Sequence, residues 1–230
     1  MAQPDTASSR VATPDGLLPD LLVEPLSDFR VQIVEGRRVV RFSASIGNRG
    51  DGPLEVVGTR TSTSTPEMAV VQRIEQPGGG YVSVPTDAVM RYASADGHAH
   101  WHVQDAARYT LEAPGEDEPR VAHKEGFCLV DGTALEGTPD GAGEYRSCAE
   151  GLPDSRSARE GISVGWSDPY PFDVWGQWID LTGLALPGRY CVAATADPLG
   201  LLAEKDTANN TASALLDLTS NGVTVVGTGC

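Results

Sequence analysis

The chain is poor in the features that mark membrane spans and nucleic-acid binding. No run of 18 apolar residues occurs in its 230 residues, so nothing is long and apolar enough to span a bilayer as a helix. Basic residues are few: 17 Lys and Arg stand against 32 Asp and Glu, a net charge of -15 at pH 7. That balance argues against a nucleic-acid partner held through its phosphates. An acidic surface favours cationic partners such as amines or lysine-rich proteins, or simply confers solubility. No C-x-x-C pair is present, which removes the usual zinc-cluster spacing. No H-E-x-x-H is present either, so the helical zinc-hydrolase signature is missing. No stretch has convincing amphipathic helical periodicity.

What is present is a series of short apolar runs separated by Gly, Pro, Asn and Asp. Phe29–Val34 and Val39–Ile46 alternate around Glu35-Gly36-Arg37 and read as a hairpin. Val70–Ile74 and Tyr81–Val84 flank Pro77-Gly78-Gly79-Gly80 in the same way. Leu54–Val57, Val89–Tyr92, Arg108–Leu111, Phe127–Val130, Trp175–Leu181, Tyr190–Ala194, Ala212–Leu218 and Val223–Val226 are further strand candidates. Residues 131–161 read as a long irregular loop, and the segment around Tyr170 as a Pro-flanked turn. The pattern predicts an all-β chain, a single-domain β-sandwich over residues 17–230. Residues 1–16, small and polar, form a disordered N-terminal segment. The even cysteine count favours disulfides and an oxidising, secreted or extracytoplasmic setting. Of three connectivities, Cys128–Cys148 and Cys191–Cys230 is preferred because each closes a modest loop.

Histidine is also scarce, which makes its placement informative. Three of the four histidines fall at alternate positions: His98, His100 and His102. In a strand such residues share one face, with neighbours roughly 7 Å apart. Two imidazoles can then converge on one ion, and the third needs a bend, which Gly97 can supply. Three nitrogens suit catalytic zinc with an open position or tetragonal Cu(II). The alternative is a polar surface row. Glu204, Asp206 and Asn209 form a second candidate group, either a Ca²⁺ site or a hydrogen-bonded turn. Asn209-Asn210-Thr211 is a glycosylation sequon by pattern.

Two more pieces stand beside the histidine row. One is His123-Lys124, followed by Phe127-Cys128-Leu129 and Asp131. The other is Asp168-Pro169-Tyr170, followed by Asp173 and then Gln177-Trp178-Ile179-Asp180-Leu181-Thr182. With Leu18-Pro19-Asp20-Leu21 near the start, and Pro187-Gly188 with Glu204-x-Asp206-x-x-Asn209-Asn210 near the end, the ordered set resembles the lysyl oxidase family over residues 17–230. The shorter cysteine set resembles a microbial, secreted member.

The resemblance implies a copper-dependent amine oxidase. Copper (Cu²⁺) would be held by His98, His100 and His102. An organic cofactor, lysine tyrosylquinone, would form from Lys124 and Tyr170. Primary amines, lysine-containing proteins among them, would be converted to aldehydes by molecular oxygen, releasing ammonia and hydrogen peroxide. The physical need is clear, since no ordinary side chain is an electrophile toward an amine and a quinone is. Lys124 must lose its proton to act as a nucleophile, which burial or a nearby cation would promote. The sequence departs from the animal pattern at Arg108, where that pattern has a histidine. A permanently charged arginine is a poor base, which leaves Asp105, Asp168 and Asp173 as candidates. Two readings from other classes are a non-catalytic metal-binding β-sandwich of an adhesion or extracellular protein and a zinc hydrolase using the same histidines.

Overall fold

A computed structural model describes residues 15–94, 98–113, 117–124, 126–138, 141 and 143–230. Residues 1–14 of the expected disordered segment 1–16 and the expected Gly97 bend lie outside the described residues.

Among the described residues there is no helix, and the all-β expectation holds. The strands are β1 (Leu21–Val23), β2 (Ser27–Val34), β3 (Arg37–Asn48), β4 (Leu54–Thr59), β5 (Glu67–Glu75), β6 (Tyr81–Ala93), β7 (His100–Gln104), β8 (Ala107–Glu112) and β9 (Arg120–Val121). They continue as β10 (Gly126–Phe127), β11 (Thr133–Ala134), β12 (Ser157–Ile162), β13 (Trp166–Tyr170), β14 (Trp178–Asp180), β15 (Gly188–Ala196), β16 (Thr211–Leu218) and β17 (Val223–Thr228). All pairings are antiparallel and form three sheets. The first is organised on β3, whose early half pairs β2 and β14 and whose late half pairs β1 and β13. The second runs β10-β7-β6-β5-β4-β12, and the third β17-β16-β15-β8-β9.

Several sequence expectations shift. The two pieces Tyr81–Val84 and Val89–Tyr92 are one strand, β6. Pro85 lacks an N–H for the ladder, and the register slips just beyond it. There the Thr86 hydroxyl donates to the Val70 carbonyl at 2.8 Å. Phe127–Val130 pairs only through Gly126 and Phe127. Trp175–Leu181 likewise shrinks to β14, because Pro171–Gly176 is spent on turns. The tail of the expected 131–161 loop is strand β12, six residues paired along β4. Tyr170 is not in a turn: it ends β13, opposite Ala44 of β3.

The three sheets pack on one apolar cluster, which includes Phe42, Met90, Trp101, Tyr109, Phe127, Val192 and Leu216. A chain of ring contacts crosses it. Phe42 meets Tyr109 edge-on at 5.4 Å, Tyr109 meets Phe127 at 5.7 Å, and Phe127 meets Tyr170 at 5.0 Å. These residues come from β3, β8, β10 and β13, so the chain of rings ties all three sheets together and ends at Tyr170. Edge-to-face geometry adds to simple burial in such pairs. The cysteines pair as preferred, Cys128 with Cys148 and Cys191 with Cys230. Phe42 is fully buried at the head of the ring chain. Phe42→Ala is therefore expected to cost about 3–5 kcal/mol in urea-unfolding experiments.

Candidate metal and lysine–tyrosine site

Strand β7 has two different faces. Trp101 points into the core and is 0% exposed, while His100 and His102 share the opposite side. His98 precedes the strand. It comes into line because Ala99 takes a left-handed conformation, φ 46°. The bend among the described residues is thus at Ala99. That conformation is unusual for a residue with a Cβ, and hydrogen bonds hold it: the Ala99 carbonyl accepts the Gly151 N–H at 2.7 Å and the Tyr92 hydroxyl at 2.8 Å.

The three imidazoles converge. One ring nitrogen from each lies within 4.8 Å of the others. The Nε2 atoms of His100 and His102 are 2.8 Å apart. Burial, then the nearby Lys124, lowers the pKa of His102 to about 2; burial also lowers that of His100. The neutral ring this favours is the form that ligates a metal. The residues therefore fit a three-nitrogen site.

Gly126 of β10 lies against His102. A Cβ there would sit 2.8 Å from His102 Cβ, 2.9 Å from its Nδ1 and 2.7 Å from Gln104 Nε2. This glycine was overlooked in the sequence. A glycine inside a strand is the available sign of such a close approach.

Lys124 immediately precedes this strand region and is only 6% exposed. Its Nζ lies 4.9 Å from the centre of the Tyr170 ring and 4.8 Å from that of Phe127. Burial lowers its pKa to about 8, with Asp168 opposing the shift. The Tyr170 hydroxyl donates to Asp168 Oδ2 at 2.5 Å and to the Cys128 carbonyl at 3.0 Å. Burial pushes Asp168 well above the usual carboxylate range, against the pull of its Tyr170 hydrogen bond and of Lys124. Burial and the Asp168 carboxyl push the Tyr170 phenol upward as well. Lys124 and Tyr170 are thus brought together, and Lys124 is near enough to His102 to lower its pKa. The role of Asp168 as the phenol's partner was not legible, since a D-x-Y spacing is uninformative until a strand puts both on one face.

A cleft of about 340 Å³ is lined by His98, His102, His123, Lys124, Gly126 and Trp175 among others. His123 stacks parallel on Trp178 at 5.2 Å and meets Trp175 edge-on at 5.0 Å. Trp178 is buried, while Trp175 lines the cleft and is 41% exposed. The other candidate bases lie elsewhere. Asp105 is exposed and faces Arg108 at 3.7 Å, and Asp173 is exposed. Arg108 does not line the cleft.

In the second candidate group, Glu204 accepts hydrogen bonds from the Leu21 N–H and the Asn210 side chain, and Asp206 accepts from the Ala208 N–H. Asn209 donates to Asp20. These contacts are those of a hydrogen-bonded turn that fastens the chain's last third to β1.

The family model described as lysyl oxidase matches residues 72–230. "Lysyl oxidase homolog 3" of Homo sapiens is 33% identical over 114 residues, 49% of this chain and 14% of that protein. "Protein-lysine 6-oxidase" of Gallus gallus is 33% identical over 119 residues, 52% of this chain and 24% of that protein. "Lysyl oxidase homolog 4" of Mus musculus is 30% identical over 114 residues, 49% of this chain and 14% of that protein. The aligned part is thus less than a quarter of each of these relatives' own length. The matched region runs from β5 to the chain's end and holds every residue of the site just described, and the chain belongs to the lysyl oxidase family.

Proposed function

We propose that the chain is a copper-dependent amine oxidase, acting in an oxidising, extracytoplasmic setting. It would take primary amines, peptidyl lysine or small amines, to aldehydes with molecular oxygen, releasing ammonia and hydrogen peroxide. The observation that carries the reading is the Lys124 amine lying over the face of the Tyr170 ring, with Lys124 also lining a cleft beside His98 and His102. A plain metal-binding sandwich gives that pair no role.

His98, His100 and His102 would hold the copper, and Lys124 and Tyr170 would supply lysine tyrosylquinone. When formed, that group supplies the electrophilic carbonyl and electron sink that amino-acid side chains lack. The surrounding residues have physical tasks. Burial lets Lys124 shed its proton near neutral pH, so a useful fraction is nucleophilic. Asp168 receives the Tyr170 phenol hydrogen bond and is placed to accept its proton. The Cys128 carbonyl fixes the same hydroxyl from a second direction. Phe127 packs edge-on to Tyr170 and holds the ring plane toward Lys124. Of the three acidic candidates for the base that takes the substrate's α-proton, Asp168 is the one beside the Lys124–Tyr170 pair.

The first test is hydrogen peroxide release from a primary-amine panel by aerated, Cu(II)-reconstituted protein. Activity is expected in the wild type, abolished in Lys124→Ala and blocked by phenylhydrazine. Copper-loaded protein that lacks a quinone spectrum and releases no peroxide from any amine would favour the metal-binding module instead.

Two variants probe the architecture. Gly126→Ala should push His102 out of line and weaken Cu(II) binding by about 10- to 100-fold in competition titrations. Lys124→Met should separate stability from activity. The folded-state pKa of Lys124 lies below its unfolded value, so burying the charged form opposes folding. That penalty is complete below about pH 8 and fades as the pH rises toward 10.5. Lys124→Met should therefore be more stable at pH 7 by up to ~3 kcal/mol, a gain that shrinks at pH 10 in denaturant titrations, while activity is lost.

A further inference from the structure

The disulfide between Cys128 and Cys148 meets both halves of the site through its own backbone. The Cys128 carbonyl accepts the Tyr170 hydroxyl at 3.0 Å. The Cys148 carbonyl accepts the Trp101 N–H at 2.9 Å, between His100 and His102. The residues after Cys148 continue the grip. The Gly151 N–H donates to the Ala99 carbonyl at 2.7 Å, between His98 and His100, and the Trp101 indole N–H donates to the Leu152 carbonyl at 3.1 Å. The backbone between the imidazoles, at Ala99 and Trp101, is thus held by the short segment 148–152.

That segment belongs to no strand. Its turn is closed locally by Glu150, whose carboxylate accepts the Cys148 N–H at 3.0 Å and the Ser147 hydroxyl at 2.8 Å. Its covalent tie to the rest of the site is the bond from fully buried Cys148 to Cys128. Cys128 directly follows β10, the strand that carries Gly126 against His102 and Phe127 against Tyr170. The left-handed Ala99 has an intrinsic cost, and such a residue persists only where its surroundings over-determine it.

We infer that Cys128 and Cys148 are positioning residues, whose bond holds the histidine-bearing backbone in register with the Lys124–Tyr170 pair. The inference rests on the metal site proposed above. It gives the disulfide a task beyond stability: without it, segment 148–152 is free to leave Ala99 and Trp101, and His98 loses the bend that turns it toward its partners.

The test compares two disulfide deletions by Cu(II) competition titration and electron paramagnetic resonance. One variant is Cys128→Ala/Cys148→Ala, and the control is Cys191→Ala/Cys230→Ala. The bonds span 20 and 39 residues respectively. A purely structural account therefore makes the control at least as damaging, because the longer loop is the costlier to leave open. The expected result is the reverse for copper. The Cys128/Cys148 variant should bind Cu(II) about tenfold or more weakly, with an altered spectrum. The control should keep the wild-type isotherm and spectrum, at a temperature where circular dichroism shows both folded. If the alanine pair does not fold, Cys128→Ser/Cys148→Val, which refills the buried position, takes its place. Equal losses in both variants, or wild-type affinity in the first, would overturn the inference. If the wild type binds no Cu(II), or His100→Ala binds as well as the wild type, the metal-site reading itself falls, and that result is distinct from the first two.

Discussion

The burial of one amine is the constraint on which the rest of the site depends. Lys124 is kept from water against the faces of Phe127 and Tyr170. Such a group opposes folding, and it persists because the elements around it are over-determined. Gly176, at φ 75°, lets its turn close onto the Lys124 backbone, where a Cβ would already sit 3.2 Å from Lys124 Cα. His123, the neighbour on the other side, is clasped between two tryptophans. The free energy lost by burying the amine is offset by the apolar core that the ring chain fills. What the cost yields is a lysine poised near neutrality, which is how proteins make a nucleophile from a group that is normally charged.

The sheet geometry does the rest with little apparatus. Strand β7 alternates Trp101 on the core side with His100 and His102 on the opposite side, so one period of two serves both packing and the gathering of the imidazoles. Strand β13 repeats the device, with Asp168 and Tyr170 two residues apart on one face. Pairing of β10 with β7 brings Gly126 and Phe127 beside the histidines, and pairing of β13 with β3 fixes the phenol's height. His100, His102, Asp168 and Tyr170 are therefore set by backbone ladders, while His98 and Lys124 lie outside the strands and are placed by Ala99, the segment after Cys148 and the Gly176 turn.

Much of this was legible in the sequence, and the rest was not for definable reasons. The hairpins around Gly36 and Gly79, and the strands β8, β15, β16 and β17, followed from alternation and turn residues. The histidine row was visible because i, i+2, i+4 has one meaning in a strand, and both cysteine pairs followed the shorter loops. Strand β12 was hidden because Ser157–Ile162 carries charge at Arg159 and Glu160, and its partners are long-range. Glu160 is buried with its carboxyl raised by desolvation, a placement that no local pattern announces. Tyr170 read as a turn because prolines flank it. Yet Pro169 lies on the exposed face of β13, where its ring is tolerated. The bend at Ala99 was assigned to the nearest glycine, since left-handed alanine is a tertiary decision and not a propensity.

Charge is the last point at which sequence and structure have to be combined. The excess of carboxylates suggested attraction of cations, and among the described residues none that lines the cleft is Asp or Glu. Arg91 at its rim is bonded to Glu67, and Lys124 and the histidines make its floor. Under the amine-oxidase reading these two facts are complementary. A protonated amine is drawn by the long-range field of the acidic surface, an effect that salt weakens. Inside the cleft it meets Lys124, whose buried amine already disfavours a second cation. The neutral amine, the form able to attack a carbonyl, is the one such a cleft retains. Under that reading an acidic exterior and a buried lysine at the cleft would divide capture from activation, a division that the net charge alone does not show.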